Sequence, residues 1–377
     1  MKNENLTLAY IADGSSVHVR RFLGFLASKG YDIHLITYTP SKIDNVKIHK
    51  VARHRMKIPL RVVQTFNLIR KINPDIVHAF YVTNNGVVAA LSGFHPLILS
   101  AWGSDIGTDP EKSRIVRFFI KLALKTADLV ETSDELGLKR LVELGVDPKR
   151  IFLHNMGVDM TLFSPAAKSM ELRKNLGIDS SYSVICARWW RPEYHVAVFI
   201  RAIPFVLEKI PNVKFILLGG GVLENELKEL AARLGVGEHV SFVGRVPEED
   251  VPKYLASVDV YVDTATDYEF DYFGRIVKTR GGGGMGQTTR QAMACGAAQI
   301  LSNQLNIRHG YWFRGLIYEQ LDYRDLAEKI VYLLRDRELR KRIGEDSRRV
   351  ALQTCDLTKI MAKWETVYHY LSEYSQR

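Results

Sequence analysis

Two hydrophobic periods alternate along the chain. Short apolar runs at Leu6–Ile11, Asp32–Thr37, Asp75–Val77, Leu97–Leu99, Leu129–Val130 and Ile151–Leu153 have strand length. Between them the apolar positions recur every three or four residues, as at Val19, Phe22, Leu23 and Leu26 within 18–29, and again across 58–72 and 112–126. Strands that alternate with helices predict a parallel sheet covered on both faces. After a loop through Asn155–Asp159 and Phe163–Pro165 the alternation restarts. Strands are expected at Ser183–Ala187, Val213–Leu218, Val240–Val243 and Val258–Val262, with helices at 196–209, 223–234 and 248–256. The pattern therefore predicts an α/β protein of two tandem, Rossmann-like, doubly wound parallel-sheet domains, 1–165 and 166–358. Ligands of such sheets bind outside the carboxyl ends of the strands, and a cleft between two of them is the expected place. The segment 264–282 fits neither period and reads as a long mobile loop.

Composition narrows the class. The 377 residues are 46% hydrophobic and 25% charged, as in a water-soluble globular protein. No apolar run reaches the roughly 18 residues of a membrane span, and the N-terminus has no long apolar signal segment. A cytoplasmic chain is expected. Cys186, Cys295 and Cys355 form neither a paired framework nor a metal-ligand spacing, and no Asp-x-Asp pair occurs, so neither metal nor cofactor is expected. The net charge is +10, and residues 1–100 hold 13 Lys/Arg against 5 Asp/Glu. That excess suggests an acidic partner or, equally, a solvated face. A nucleic-acid partner has only this charge in its favour and is not expected.

The chemistry concentrates late in the chain. The run Gly281–Gly296 is a glycine-rich loop leading into a helix, and it includes Gly283, Gly284, Met285, Gly286, Gln287 and Gln291. Glycines admit close approach of a ligand, and the first helical turn offers free N–H groups and a partial positive charge. That combination suits phosphate; a plain flexible hinge is the other reading. In 112–126, Arg114, Arg117, Lys121 and Lys125 recur at intervals of three, four and four residues and form one stripe beside Ile115, Phe118, Phe119 and Leu122. Such a face suits an anionic membrane. A core-packed helix with a solvated basic edge is the alternative.

Several ordered motifs resemble the retaining glycosyltransferases of family 4, which have the two-domain GT-B fold. They are Gly14-Ser15-Ser16 with His18, Arg20 and Arg21; Pro74–His78; Trp102-Gly103-Ser104-Asp105; Asn155–Asp159 with Phe163 and Pro165; Arg188 with Pro192-Glu193-Tyr194; Leu218–Gly221; Phe242–Val246; and Gln291–Gly296. The resemblance spans most of the chain. It implies a nucleotide-sugar donor in the second domain, an acceptor (glycan or lipid-linked) in the first, and transfer with retention of configuration. It also implies that the C-terminal segment 359–377 joins the first domain.

On this resemblance Arg188 is the catalytic cation that stabilises the departing diphosphate. The family's accompanying lysine falls at Tyr194, so Arg191 is a substitute. Amides of Met285, Gly286 and Gln287 face phosphate oxygens, and Gly244, Arg245 and Val246 form the turn that contacts the nucleotide base. The family's paired glutamates fall at Gly283 and Gln291. Gln291 retains hydrogen-bonding capacity toward ribose, whereas Gly283 has no side chain, and Glu269 or Asp271 stand as replacements. On the acceptor side are Gly14, His18 and Trp102. Trp102 is an apolar platform or a core residue, and Asp105 binds a hydroxyl or caps the following segment. The rival functions are a GT-B protein that binds nucleotide or glycan without transferring sugar, and a nucleotide-sugar epimerase.

Overall fold

The computed structural model describes residues 6–52, 58–266, 270–272, 275–277, 286–303 and 313–375. Two compact units emerge. The first gathers the chain up to Asn155 and from Lys359 onward; the second takes the described residues from Met156 to Thr358. The division falls at Asn155, earlier than the boundary at 165 read from the loop. Residues 156–165 belong with the second unit for a packing reason. The Val158 N–H donates to the Cys355 carbonyl at 2.7 Å, Leu357 leaves no room for a Cβ at Gly157, and Phe163 is fully buried in the second unit's core.

The first unit holds a seven-stranded parallel sheet. Its strands are β1 (Thr7–Ile11), β2 (Asp32–Thr37), β3 (Val46–Lys50), β4 (Ile76–Phe80), β5 (Leu97–Ala101), β6 (Leu129–Thr132) and β7 (Ile151–Leu153), in the order β3-β2-β1-β4-β5-β6-β7. The helices are α1 (Val17–Ser28), α2 (Ile58–Ile72), α3 (Val87–Ala90), α4 (Ser104–Gly107), α5 (Asp109–Lys112), α6 (Arg114–Thr126) and α7 (Glu135–Glu143). Strands β4 and β5 are buried along their whole length, as expected of central strands covered on both faces. Strand β3 escaped the sequence reading because its sequence, VKIHK, is basic and lies at the sheet edge. The helix read over 112–126 is split. Ser113 adopts an extended backbone, and its hydroxyl caps α6 by accepting the Ile115 N–H at 3.2 Å.

In the second unit, α8 (Met170–Asn175) leads to a six-stranded parallel sheet of β8 (Tyr182–Ala187), β9 (Val213–Leu218), β10 (Val240–Gly244), β11 (Val260–Asp263), β14 (Ala298–Ser302) and β15 (Leu316–Tyr318), in the order β10-β9-β8-β11-β14-β15. Its helices are α9 (Ala197–Leu207), α10 (Glu224–Arg233), α11 (Val251–Ser257), α12 (Gln287–Ala294), α13 (Tyr323–Arg335) and α14 (Arg337–Thr354). The segment 264–282 is more than the long loop expected. It contains two short antiparallel strands, β12 (Phe270–Tyr272) and β13 (Arg275–Val277), with Asp271 on the first; Glu269 lies outside the described residues.

Helix α15 (Leu357–Ser375) ends the described chain, and its aromatic residues complete the first unit's core. Trp364 and Tyr368 are fully buried. The Tyr10 hydroxyl lies 2.7 Å from the Tyr368 hydroxyl, which in turn meets His78 Nδ1 at 2.8 Å, while His78 Nε2 meets the Ser100 hydroxyl at 2.8 Å. This network satisfies a histidine in the middle of a buried strand. Burial holds His78 well below its ordinary pKa, so it is neutral. Each sheet reverses its strand order once, between β1 and β4 in the first and between β8 and β11 in the second, the place where ligands of such sheets commonly bind.

Candidate functional site

Arg188 leaves the carboxyl end of β8, and Asp263 ends β11, so the two residues straddle the second sheet's reversal point. They form a buried bidentate pair. Arg188 Nε donates to Asp263 Oδ1 at 2.9 Å, and Nη2 donates to Oδ2. The Thr289 hydroxyl donates to the same Oδ2 at 2.5 Å, and the Ala265 N–H to Oδ1 at 3.0 Å. Both carboxylate oxygens are thereby doubly satisfied, as a buried charge requires. Burial opposes the charge on Arg188, but Asp263 beside it prevails and pushes its pKa up. The guanidinium rests against Gly286, where a Cβ would lie only 2.1 Å from Nη1. Glycine is thus required at the residue that opens α12. Beside it, Gln287 turns its amide to the Gly157 carbonyl at 2.8 Å. Gln291 lies buried one turn further along α12.

Around this pair the loops are close-fitting. Gly219 has φ +142°, and a Cβ there would meet the Arg188 carbonyl oxygen at 1.9 Å. The Gly219 N–H donates to the Gly244 carbonyl at 2.9 Å, which ties the turn after β9 to the turn after β10. Gly244 itself takes φ +79°. Arg245 is exposed and Val246 half-buried against the core. Tyr194, standing where the resemblance places a lysine, lies under Arg188 with its ring centroid 5.4 Å from Cζ.

The first unit's reversal point is built differently. Gly14 follows β1; its N–H donates to the Thr37 hydroxyl at 3.0 Å, and a Cβ would lie 2.6 Å from the Thr39 carbonyl oxygen. Tyr81 follows β4 with φ +76°, a strained value for a side-chain-bearing residue, and a π-helical turn Val82–Gly86 comes next. Trp102 is half-buried at the end of β5. It packs on Phe80 at 5.2 Å and meets His18 edge-on at 6.1 Å. It is neither a core residue nor fully free, and presents a partly exposed indole. Asp105 is 0% exposed and accepts the Val82 N–H at 2.7 Å and the Trp102 N–H at 3.0 Å. These contacts do not cap the following helix α4, which has no side-chain hydrogen bond at its N-cap Gly103. Its carboxylate ties the loops carrying Tyr81 and Trp102 together. Burial pushes its pKa up to about 6 against the pull of the Val82 N–H, and Asp109 adds to the rise. The Tyr81 hydroxyl meets the Ser104 hydroxyl at 2.9 Å and donates to Asp109 at 3.3 Å, and Lys112 pairs with Asp109 at 2.6 Å.

Residues 7–134 match the family model described as Glycosyl transferase 4-like, and residues 169–350 match the one described as Glycosyl transferases group 1. The chain belongs to the family 4-type GT-B glycosyltransferases. N-acetyl-alpha-D-glucosaminyl L-malate synthase of Bacillus anthracis is 23% identical to this glycosyltransferase over 369 residues, 91% of this chain and 90% of that one. A GDP-mannose-dependent alpha-(1-6)-phosphatidylinositol monomannoside mannosyltransferase of Mycolicibacterium smegmatis is 26% identical over 221 residues, 57% of this chain and 54% of the mannosyltransferase. In fold, the chain is similar to the crystal structure of Anabaena HepE in complex with UDP-glucose, with a TM-score of 0.80 at 18% identity, covering 97% of this chain and 100% of that one.

Of the residues singled out in the sequence of this glycosyltransferase, Arg188, Gly286, Gln287 and Gln291 come together at one end of the second sheet. Gly244, Arg245 and Val246 adjoin it, and Gly14, His18, Trp102 and Asp105 cluster at the matching end of the first. Gly283, Gly284 and Met285 lie outside the described residues. The sequence reading missed Asp263, Thr289 and Tyr81. For Asp263 a signal existed: a carboxylate closing the apolar run Val260–Asp263 needs a buried partner, and Arg188 is the cation on the neighbouring strand's end.

Proposed function

We propose that this glycosyltransferase moves a sugar from a nucleoside-diphosphate donor, bound at the end of the second sheet, to a lipid-linked acceptor at the end of the first, with retention of configuration. In the reaction the bond from the sugar's anomeric carbon to the diphosphate oxygen breaks. The acceptor oxygen bonds to that carbon on the same face, and its proton passes to the departing phosphate. The observation that carries the reading is the meeting of Arg188, Gly286 and the start of α12 at the sheet's reversal point, where helix amides favour an anion. The donor reading is supported by the HepE structure with UDP-glucose and by the GDP-mannose-dependent relative. No divalent ion takes part in this proposal, and excess chelator is expected to leave turnover unchanged.

Membrane contact through α6 belongs to the same proposal. The helix buries only Ile120, Ala123 and Leu124, leaving Ile115 70% and Phe118 62% exposed, with Phe119 and Leu122 exposed beside them. Arg114, Arg117, Lys121 and Lys125 flank these residues. Water-facing phenylalanine amid cations suits an anionic lipid surface. No helix among the described residues is long and apolar enough to cross a membrane, so the contact proposed is peripheral.

The test is release of nucleoside diphosphate from a panel of UDP-, GDP-, ADP- and dTDP-sugars, with and without lipid-linked acceptors. Turnover of one donor, raised by a lipid-linked acceptor, is the expected result. Binding with no turnover across the panel would favour a non-catalytic role, and acceptor-free conversion of the donor sugar would favour an epimerase.

A further inference from the structure

We propose that the first unit binds a phosphate monoester through Arg61 and Thr65 of α2, in a site that shares no residue with the donor end of the second sheet. The observation that carries it is a buried arginine without an acid. Arg61 faces inward from the first turn of α2 and is only 5% exposed. Its Nε–H is sealed from water with no hydrogen-bond partner, and the guanidinium pairs with no acid among the described residues. The sequence offers none nearby, since no Asp or Glu stands between Asp44 and Asp75. Arg140, buried to the same degree, shows what such a group ordinarily requires: it bonds the Ile106 carbonyl, Glu111 and Glu143.

Burial and the helix both oppose the charge on Arg61. A guanidinium stays protonated when buried, and taking it out of water is costly unless a partner is supplied. The first helical turn, at the positive end of the dipole, is the least favourable place for a cation. The face of the Tyr38 ring, 5.1 Å from Cζ, offsets only part of this.

Thr65 repeats the pattern one turn on. It is fully buried, and its hydroxyl has no partner. A helical threonine commonly turns its hydroxyl to the carbonyl four residues back. Thr126, Thr354 and Thr366 do so, at 2.9, 2.9 and 3.1 Å, and Thr65 does not. Residues four apart share a face of a helix, so Arg61 and Thr65 present unsatisfied donors on the same side of α2. The surroundings are held in place. The Ala52 N–H donates to Gln64 Oε1 at 2.9 Å, and the Val51 N–H to the Thr37 carbonyl at 2.9 Å. Tyr38 directly follows β2, so the site lies at the carboxyl end of that strand.

The donors select the ligand. One edge of a guanidinium takes two oxygens of an anion in parallel, and Thr65 calls for a third. A phosphate monoester has three terminal oxygens, whereas a carboxylate and a phosphodiester each have two.

The experiment uses the full chain in phosphate-free buffer, with inorganic phosphate, glycerol monophosphate and the diester glycerophosphocholine as probes. The first readout is the Arg61 Nε–H resonance in nitrogen-labelled arginine spectra, assigned by its loss in Arg61→Met, because phosphate bound at the donor end leaves that resonance in place. Phosphate and the monoester should shift it, and the diester should not. Thr65→Val should weaken the monoester about tenfold in the same titration. The second readout is the melting temperature. Arg61→Met removes an unpaired buried charge, so without phosphate it should melt above the parent. A resonance unmoved by phosphate and monoester alike, or an Arg61→Met chain that melts below the parent, would mark a structural arginine and overturn the site. An equal shift with the diester would overturn the monoester assignment.

Discussion

The most deeply buried carboxylates near the two strand-order reversals, Asp105 and Asp263, are satisfied in opposite ways. In the second unit Asp263 meets a full cation, Arg188, with Thr289 and a backbone N–H filling the remaining lone pairs. In the first, Asp105 accepts from two backbone N–H groups and pairs with no cation among the described residues. The pair in the second unit is electrically closed. The acid in the first unit is a loop clamp, and the surface above it is aromatic: Trp102, His18 and Tyr81. The second unit's reversal point is thus built around an ion pair and the first unit's around aromatic side chains.

The comparison is broken most severely at Asp263. Asp263→Ala leaves a buried guanidinium unpaired and is expected to cost about 3–5 kcal/mol, read by urea denaturation. Arg188→Met/Asp263→Leu should recover most of that loss, and failure to do so would show the pair is needed for more than mutual compensation. Gly286→Ala should follow. A Cβ in the space of the guanidinium must displace it, at about 1–3 kcal/mol, and donor binding should weaken with it even though no charge has changed.

Asp105 responds to pH in the opposite sense from a paired carboxylate. Its folded-state pKa of about 6 lies above the value of about 3.9 expected when unfolded. Between those values the folded chain keeps a proton that the unfolded chain releases. The contribution of this group to stability therefore falls as pH rises from about 4 to 6 and returns on acidification. The wild-type melting temperature measured against that of Asp105→Asn should show this slope, and a flat difference would contradict it. The substitution also sets an amide against one of the two N–H donors, costing about 1–3 kcal/mol near neutral pH. The smallest effect on stability belongs to α6. Phe118→Ser should change unfolding by less than about 0.5 kcal/mol yet abolish sedimentation with anionic vesicles. Retained binding would move the lipid contact elsewhere.

Much of this architecture was legible in the chain because parallel strands buried on both faces spell themselves as apolar runs, and helical spacing fills the intervals. The site was legible where a motif carries its own backbone demand. Gly286 and Gly219 lie where the neighbouring guanidinium or carbonyl leaves no room for a Cβ. It was illegible where partners are distant in sequence. The apolar run that Asp263 closes calls for a buried partner, but that partner, Arg188, stands 75 residues before it. Tyr81 has no local signal at all, since its left-handed backbone is imposed by the loop that Asp105 holds. The exposed apolar face of α6 could not be chosen over a core-packed one from spacing, because both readings place the same residues on one side of a helix.

Helix α15 has a temporal consequence. Tyr10 and His78 are synthesised early, yet the hydroxyl that bridges them belongs to Tyr368. During translation the second unit has all its strands before the ribosome reaches that tyrosine, so the nascent first sheet waits with an open apolar patch around Phe22 and His78. The part of the protein made first is the part sealed last, and a chain stalled just short of Trp364 would present that unsealed patch to chaperones.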